Sequence, residues 1–147
     1  MNWKQMYVRT IAVVIGLFYV ASALALLLTP EWFLDNIGNY PPFNRHYLGD
    51  TGSFLLVLGL MLLWAARDLA RHPVMIALVG VGSLVHAMNH IVEDFITNRS
   101  TSSIVNNVLL FILSFALLLA ARWANELPQV LSPQPGSRAN QLLGHEK

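Results

Sequence analysis

The sequence predicts an all-α integral membrane protein, a bundle of four transmembrane helices with both termini in the cytoplasm. Two observations indicate this class: 55% of the 147 residues are apolar and only 12% are charged, and the apolar residues fall in four long stretches. Soluble domains carry about 25% charged residues, so this chain lacks the side chains to cover a surface that faces water on all sides. Barrel strands would alternate apolar and polar residues, which these stretches do not do.

Each of the four stretches approaches the ~20 residues that a helix needs to cross ~30 Å of hydrocarbon. The spans cover residues 10–28, 46–66, 74–95 and 103–122. Pro30 ends the first span, because proline lacks the amide hydrogen that continues the helical ladder. We therefore expect residues 1–125 to form one membrane domain and residues 126–147 to be a polar, disordered cytoplasmic tail.

The direction of the spans follows from the basic residues, which concentrate on the cytoplasmic side of membrane proteins. With the N-terminus inside, only Arg45 and Arg99 lie outside, and the cytoplasmic set is Lys4, Arg9, Arg67, Arg71, Arg122, Arg138 and Lys147. The predicted location is a cell membrane, as a multi-pass protein of the bacterial inner membrane. A cleaved signal peptide ending near Ala25 is the rival interpretation of the first span, but the apolar run continues to Leu28.

Net charge and cysteine content exclude other classes of function. A formal net charge of +1 gives no electrostatic basis for binding nucleic acid. The absence of cysteine excludes disulfides, thiolate metal ligands and thiol chemistry.

The third predicted span carries five polar residues in its outer half, at positions where charge is costly in a membrane. They fall within a stripe about 140° wide at 100° per residue, and Ser83 extends this stripe inward. The five residues are His86, Asn89, His90, Glu93 and Asp94.

The other spans also place polar residues in their outer halves. The second span begins with His46, Asp50 and Ser53 on one face. Tyr19 lies in the first span, and Asn107 lies near the start of the fourth. Because the turn between the second and third spans is short, we expect those two helices to be antiparallel neighbours. The topology thus predicts that polar side chains from all four helices converge on one outer site.

A divalent metal is one ligand that fits this set. His86 and His90 are spaced to bind one ion from a single helix face. Histidine with carboxylate suits zinc, iron or manganese, and the predicted metal ligands are His86, His90, Glu93, Asp50, His46 and Asp94. Haem is disfavoured, because His86 has no histidine at similar depth on a facing span.

Two alternatives to a metal remain open. The site can instead hold the polar head of a small amphipathic ligand such as a quinone, sterol or lipid, with Ser53, Asn89, Asn107 and Tyr19 as cofactor-binding residues. The polar network can also be purely structural, in a non-catalytic accessory or assembly subunit of a larger membrane complex. The predicted partners are the lipid bilayer, further copies of the chain or a larger complex, and a small amphipathic ligand. Whether the protein is an enzyme is not determined by these patterns.

Two local motifs resemble those of a known group of proteins. Residues 49–53 read Gly-Asp-Thr-Gly-Ser at the start of the second span, and residues 86–90 read His-Ala-Met-Asn-His in the third. With the four-span layout, the chain resembles small four-helix bacterial membrane proteins of the DoxX-like group. The resemblance implies a shared layout and no particular activity or cofactor.

Overall fold

The computed structural model describes residues 2–38, 42–97 and 101–128, and these residues form five helices and no strand. The helices are α1 (Trp3–Leu28), α2 (Pro30–Asn36), α3 (Arg45–Ala65), α4 (Pro73–Thr97) and α5 (Thr101–Asn125). Four candidate spans of 19 to 26 residues, one in each helix except α2, are long and apolar enough to cross a membrane. The prediction of an all-helical fold with four such helices is confirmed.

The helix ends follow from local hydrogen bonding. The side chain of Asn2 accepts a 2.8 Å hydrogen bond from the amide of Gln5 and caps α1, which starts seven residues before the predicted span. Asn44 caps α3 in the same way. Pro30 ends α1 as predicted, but it also occupies the first turn of α2, where its missing amide hydrogen costs nothing. The four predicted spans include no helix between residues 28 and 46, so α2 is an addition to the predicted fold.

The helices associate unevenly. Helix α1 packs most closely on α3, and α4 packs most closely on α5, while α1 also contacts α5. Helices α3 and α4 touch each other much less, although only a short turn joins them. The expected neighbours are therefore in contact, but they form the most open of these four helix pairs.

Glycine explains the close approach of α1 and α3. A Cβ atom added at Gly59 would lie 2.9 Å from the carbonyl oxygen of Gly16 and 2.9 Å from Cγ2 of Val20. Gly52 is similarly close to Ala23 and Leu26. Small residues let helix backbones approach where lipid and side chains are equally apolar. Ala12, Gly16, Tyr19 and Ala23 form one buried face of α1.

Buried apolar side chains concentrate at the end of the bundle that holds both the start of α1 and the end of α5. This core contains Val8, Ile15, Leu62, Leu69, Ile76, Val79, Leu117 and Ala120, among others. Beyond Val79, the inward positions of α4 become polar or small. The polar inward positions of α4 therefore lie in the half of the bundle away from the start of α1 and the end of α5.

Candidate functional site

The inward stripe of α4 is built from Ser83, Ala87, His90 and Asp94. These residues recur every three or four positions and so share one face of the helix. Ser83 and Ala87 are buried, and His90 and Asp94 are partly buried. The stripe gives α4 a polar interior in the same half of the bundle where the sequence analysis located a site.

Tyr19 links α1 to this stripe. Its hydroxyl lies 2.6 Å from Oγ of Ser83, and both side chains are buried. Oγ of Ser83 also donates a 2.7 Å hydrogen bond to the carbonyl oxygen of Val79. Since a serine hydroxyl has a single hydrogen, the Tyr19 hydroxyl is the donor to Ser83. The pair satisfies two buried hydroxyls at the inner boundary of the polar region.

Asn107 links α5 to the stripe near its other end. Its Nδ2 donates a 2.6 Å hydrogen bond to Oδ2 of Asp94. Asn107 is only 6% exposed, and its own Oδ1 is buried without a hydrogen-bond partner in the structure. Three of the four long helices, α1, α4 and α5, therefore contribute polar atoms to this half of the bundle, whereas the sequence predicted a contribution from all four.

His86 and His90 form a pair on successive turns of α4. Their Nε2 atoms lie 3.2 Å apart, with the rings edge to face at 4.5 Å between centroids. Two nitrogens bound to one zinc ion at about 2.0–2.1 Å and a tetrahedral angle would be about 3.3–3.4 Å apart. The two imidazoles therefore already have the separation of two ligands to one ion. Without an ion, one nitrogen donates a hydrogen bond to the other.

A second stripe of α4, beside the inward one, is exposed. It contains Gly82, His86, Asn89 and Glu93. A Cβ atom added at Gly82 would meet nothing within 4 Å, so the surface next to His86 is open. The histidine pair thus joins the inward stripe, through His90, to an open face where a ligand or ion can enter.

The polar residues of α3 do not join this group as expected. His46, Asp50 and Ser53 are all exposed, and they lie at least about 100° around the helix from Gly52 and Gly59. Docking of those two glycines on α1 turns the polar face of α3 outward. Nε2 of His46 lies 3.6 Å from Oδ2 of Asp50, and Oγ of Ser53 donates to the carbonyl oxygen of Gly49. These contacts lie within α3, so α3 does not contribute the convergent face that we predicted.

The predicted six-ligand metal set is accordingly not assembled. Among the side chains that the structure describes, no three histidine, aspartate or glutamate residues are grouped so as to hold a metal ion. The described part of α4 offers the histidine pair, with Glu93 and Asp94 within the following turn. A metal bound there would therefore have two imidazole ligands in the present arrangement.

A cluster of charged and aromatic side chains lies at the opposite end of the bundle, and the sequence did not predict it. Nζ of Lys4 lies 2.5 Å from Oε2 of Glu126 and 5.9 Å from the ring centroid of Trp123. Trp3 and Tyr7 both pack edge to face against Trp123. The hydrogen bond from Lys4 lowers the pKa of the Glu126 carboxyl. Trp3 and Trp123 both lie outside the predicted spans, and the sequence alone does not show that they contact each other.

These features define a class: an all-helical bundle with four helices that are long and apolar enough to span a membrane, and with a polar region built on α4. Comparisons with protein families, with curated proteins and with solved structures give no match to this chain. The function is therefore inferred from the residues of the site itself.

Proposed function

We propose that the protein is a multi-pass protein of the bacterial inner membrane that binds a divalent metal ion, such as Zn²⁺, through His86 and His90. The observation that carries this proposal is the 3.2 Å separation of the two Nε2 atoms on an open face of α4. Neutral imidazole is a good ligand for zinc, and the carboxylates of Glu93 and Asp94 on the following turn favour a nearby cation.

Two imidazoles leave coordination positions for water or for a ligand. A divalent ion with open positions acts as a Lewis acid, and it can bind the polar head of an amphipathic molecule directly. The open surface beside Gly82 gives such a molecule access, and the Ser83 and Tyr19 hydroxyls lie just inward of the histidines. A small amphipathic ligand is therefore the second candidate for this site, either with the ion or in place of it.

Metal analysis of detergent-purified protein tests the proposal. After incubation with Zn²⁺ and removal of excess metal, we expect a single bound ion per chain, lost in the His86→Ala, His90→Ala double variant. The matched control is His46→Ala, which removes an exposed histidine of α3 and should leave the bound zinc unchanged. Absence of zinc from the wild type, or equal loss in the control, would disprove metal binding at this pair. Purification at fixed ratio with a larger complex, without metal, would favour the accessory subunit.

The proposed topology has its own test. The chain contains no cysteine, so a single introduced cysteine gives an unambiguous label. Both termini and the turn between α3 and α4 are proposed to be cytoplasmic, with α2 outside. In intact cells, an impermeant maleimide should label Asn36→Cys and should label Arg71→Cys only after lysis. Labelling of both positions in intact cells would contradict the orientation.

A further inference from the structure

An apolar groove runs along the surface of α5, away from the histidine pair. It has a volume of about 530 Å³ and is lined chiefly by Tyr7, Val108, Phe111, Phe115, Ala116 and Leu119. The α5 residues lie at positions i, i+3, i+7, i+8 and i+11, so they form one continuous face of the helix. Tyr7 of α1 closes one side, where its hydroxyl makes a long 3.5 Å contact with the carbonyl oxygen of Ala116.

The groove is long enough for most of an acyl chain of one leaflet. From Val108 to Leu119 the helix rises by about 16.5 Å at 1.5 Å per residue, and Arg122 lies about 4.5 Å further along the helix. Half of a hydrocarbon core of about 30 Å is about 15 Å, and measured from Arg122 this distance ends near Ile112. An acyl chain with its headgroup at Arg122 can therefore lie along the groove from Leu119 to about Ile112.

The basic side chains at one end of the groove indicate that a lipid bound there would have an anionic headgroup. Arg122 follows Leu119 by one turn on the same face, and its side chain is 79% exposed. Lys4 lies at the same end, so two cations there face the single carboxylate of Glu126. Glu126 is 2.5 Å from Lys4 but 3.8 Å from Nε of Arg122, which leaves the guanidinium able to bind another anion. Arginine binds phosphate through paired N–H donors.

We propose that this groove binds one anionic phospholipid, with an acyl chain along α5 and the phosphate at Arg122. Trp3 and Trp123 lie beside the charged end, which is the position of aromatic residues at a membrane interface. The inference depends on the membrane insertion proposed above, and it is independent of the histidine pair. The lipid would come from the leaflet on the side of both termini.

The experiment measures lipid retention by native mass spectrometry. Delipidated protein in detergent is incubated with equal amounts of phosphatidylglycerol and phosphatidylcholine that carry the same acyl chains. We expect the wild type to retain one phosphatidylglycerol in preference to phosphatidylcholine. Arg122→Gln should reduce this preference about fivefold, the effect expected for one basic residue at an anionic surface. Arg122→Lys should keep most of it.

Two further variants test whether lipid retention depends on the groove or on basic residues in general. Ala116→Leu places a larger side chain in the groove and should reduce retention of both lipids. Arg67→Gln is the matched control, because Arg67 stacks on Trp64 near the same end of the bundle but away from the groove. Its lipid preference should equal that of the wild type. The His86→Ala, His90→Ala variant should also retain the lipid, so a failure of the metal site is distinguishable from a failure here.

Three results would overturn the proposal. The first is equal retention of the two lipids by the wild type, and the second is an equal effect of Arg67→Gln and Arg122→Gln. The third is a wild-type dimer that dissociates in the Ala116→Leu variant while lipid retention is unchanged. A second copy of the chain, and not a lipid, would then occupy the groove. Melting temperatures of all variants establish that each one is folded.

Discussion

The hydroxyl groups of Tyr19 and Ser83 form a 2.6 Å hydrogen bond that joins α1 to α4 inside the bundle. The bond lies at the boundary between the apolar core and the polar region of α4. Ser83 in turn donates to the carbonyl oxygen of Val79, so the phenol of Tyr19 serves as the donor of the pair. The contact ties the helix that carries the histidines to the helix that packs most closely on α3.

Removal of the Tyr19 hydroxyl should destabilise the fold modestly. Tyr19→Phe leaves Ser83 without its donor, and interhelical hydrogen bonds of this kind contribute about 0.6 kcal/mol on average and at most about 1.7 kcal/mol. Unfolding in mixed micelles measures the change. The control is Ser53→Ala, whose hydroxyl is exposed and bonds only within α3, and it should have almost no effect. Equal destabilisation by the two variants would contradict a specific role for the pair.

Gly59→Ala should separate α1 from α3. The new methyl group would lie 2.9 Å from backbone and side-chain atoms of α1, so the helices must move apart at a cost of about 1–3 kcal/mol. Gly49→Ala is a matched control on the same helix, because a Cβ atom there meets nothing within 4 Å. The control should be neutral or stabilise the helix by up to about 1 kcal/mol. Measurement of the free energy of unfolding should show a decrease for Gly59→Ala and no decrease for Gly49→Ala.

Asn107→Ala should destabilise the link between α4 and α5. The substitution removes the amide that donates to the partly buried carboxylate of Asp94, and loss of such a donor costs about 1–3 kcal/mol. Asn89→Ala is the comparison, because Asn89 is an exposed asparagine of α4. Thermal unfolding in detergent should show a clear decrease for the first variant and little change for the second. An unchanged melting temperature for Asn107→Ala would show that the bond contributes nothing.

The pair Lys4 and Glu126 should make stability depend on pH. The hydrogen bond from Lys4 lowers the pKa of Glu126 in the folded protein below its ordinary value of 4.5. The stabilising contribution is therefore present above that value and is lost as the pH falls through the lowered pKa. Glu126→Gln should lack this part of the pH dependence, and Glu31→Gln, in α2, should retain it. Since the pair is exposed, high salt should reduce the difference between wild type and Glu126→Gln.

Zinc should stabilise the fold only when the histidine pair is intact. An ion that binds the folded state alone, at 100 times its dissociation constant, raises the free energy of unfolding by about 2.7 kcal/mol. The wild type and His46→Ala should show this increase, and the His86→Ala, His90→Ala variant should not. A shift in melting temperature with zinc concentration measures the effect. The same shift in the double variant would place the ion elsewhere.

The sequence alone was sufficient to predict the number and the approximate positions of the four long apolar helices. Long apolar runs bounded by Pro30 and Pro73 carry their own length and end signals, so this prediction needed no knowledge of neighbours. The same holds for the polar stripe of α4, because helical periodicity alone places His86 and His90 on successive turns. The first turns of α1 and the whole of α2 were missed, because caps and short helices carry weak periodic signals.

The tertiary structure decided which helix faces meet. Helix α3 carries two candidate interfaces, the polar face of His46 and Asp50 and the small-residue face of Gly52 and Gly59, and its sequence does not rank them. Close approach of Gly59 to Gly16 selected the second and turned the first outward, which left α4 to form the candidate site with α1 and α5. The physical reason is that close approach of two backbones requires small residues that face each other at one depth, and this match depends on the partner helix as well as on α3.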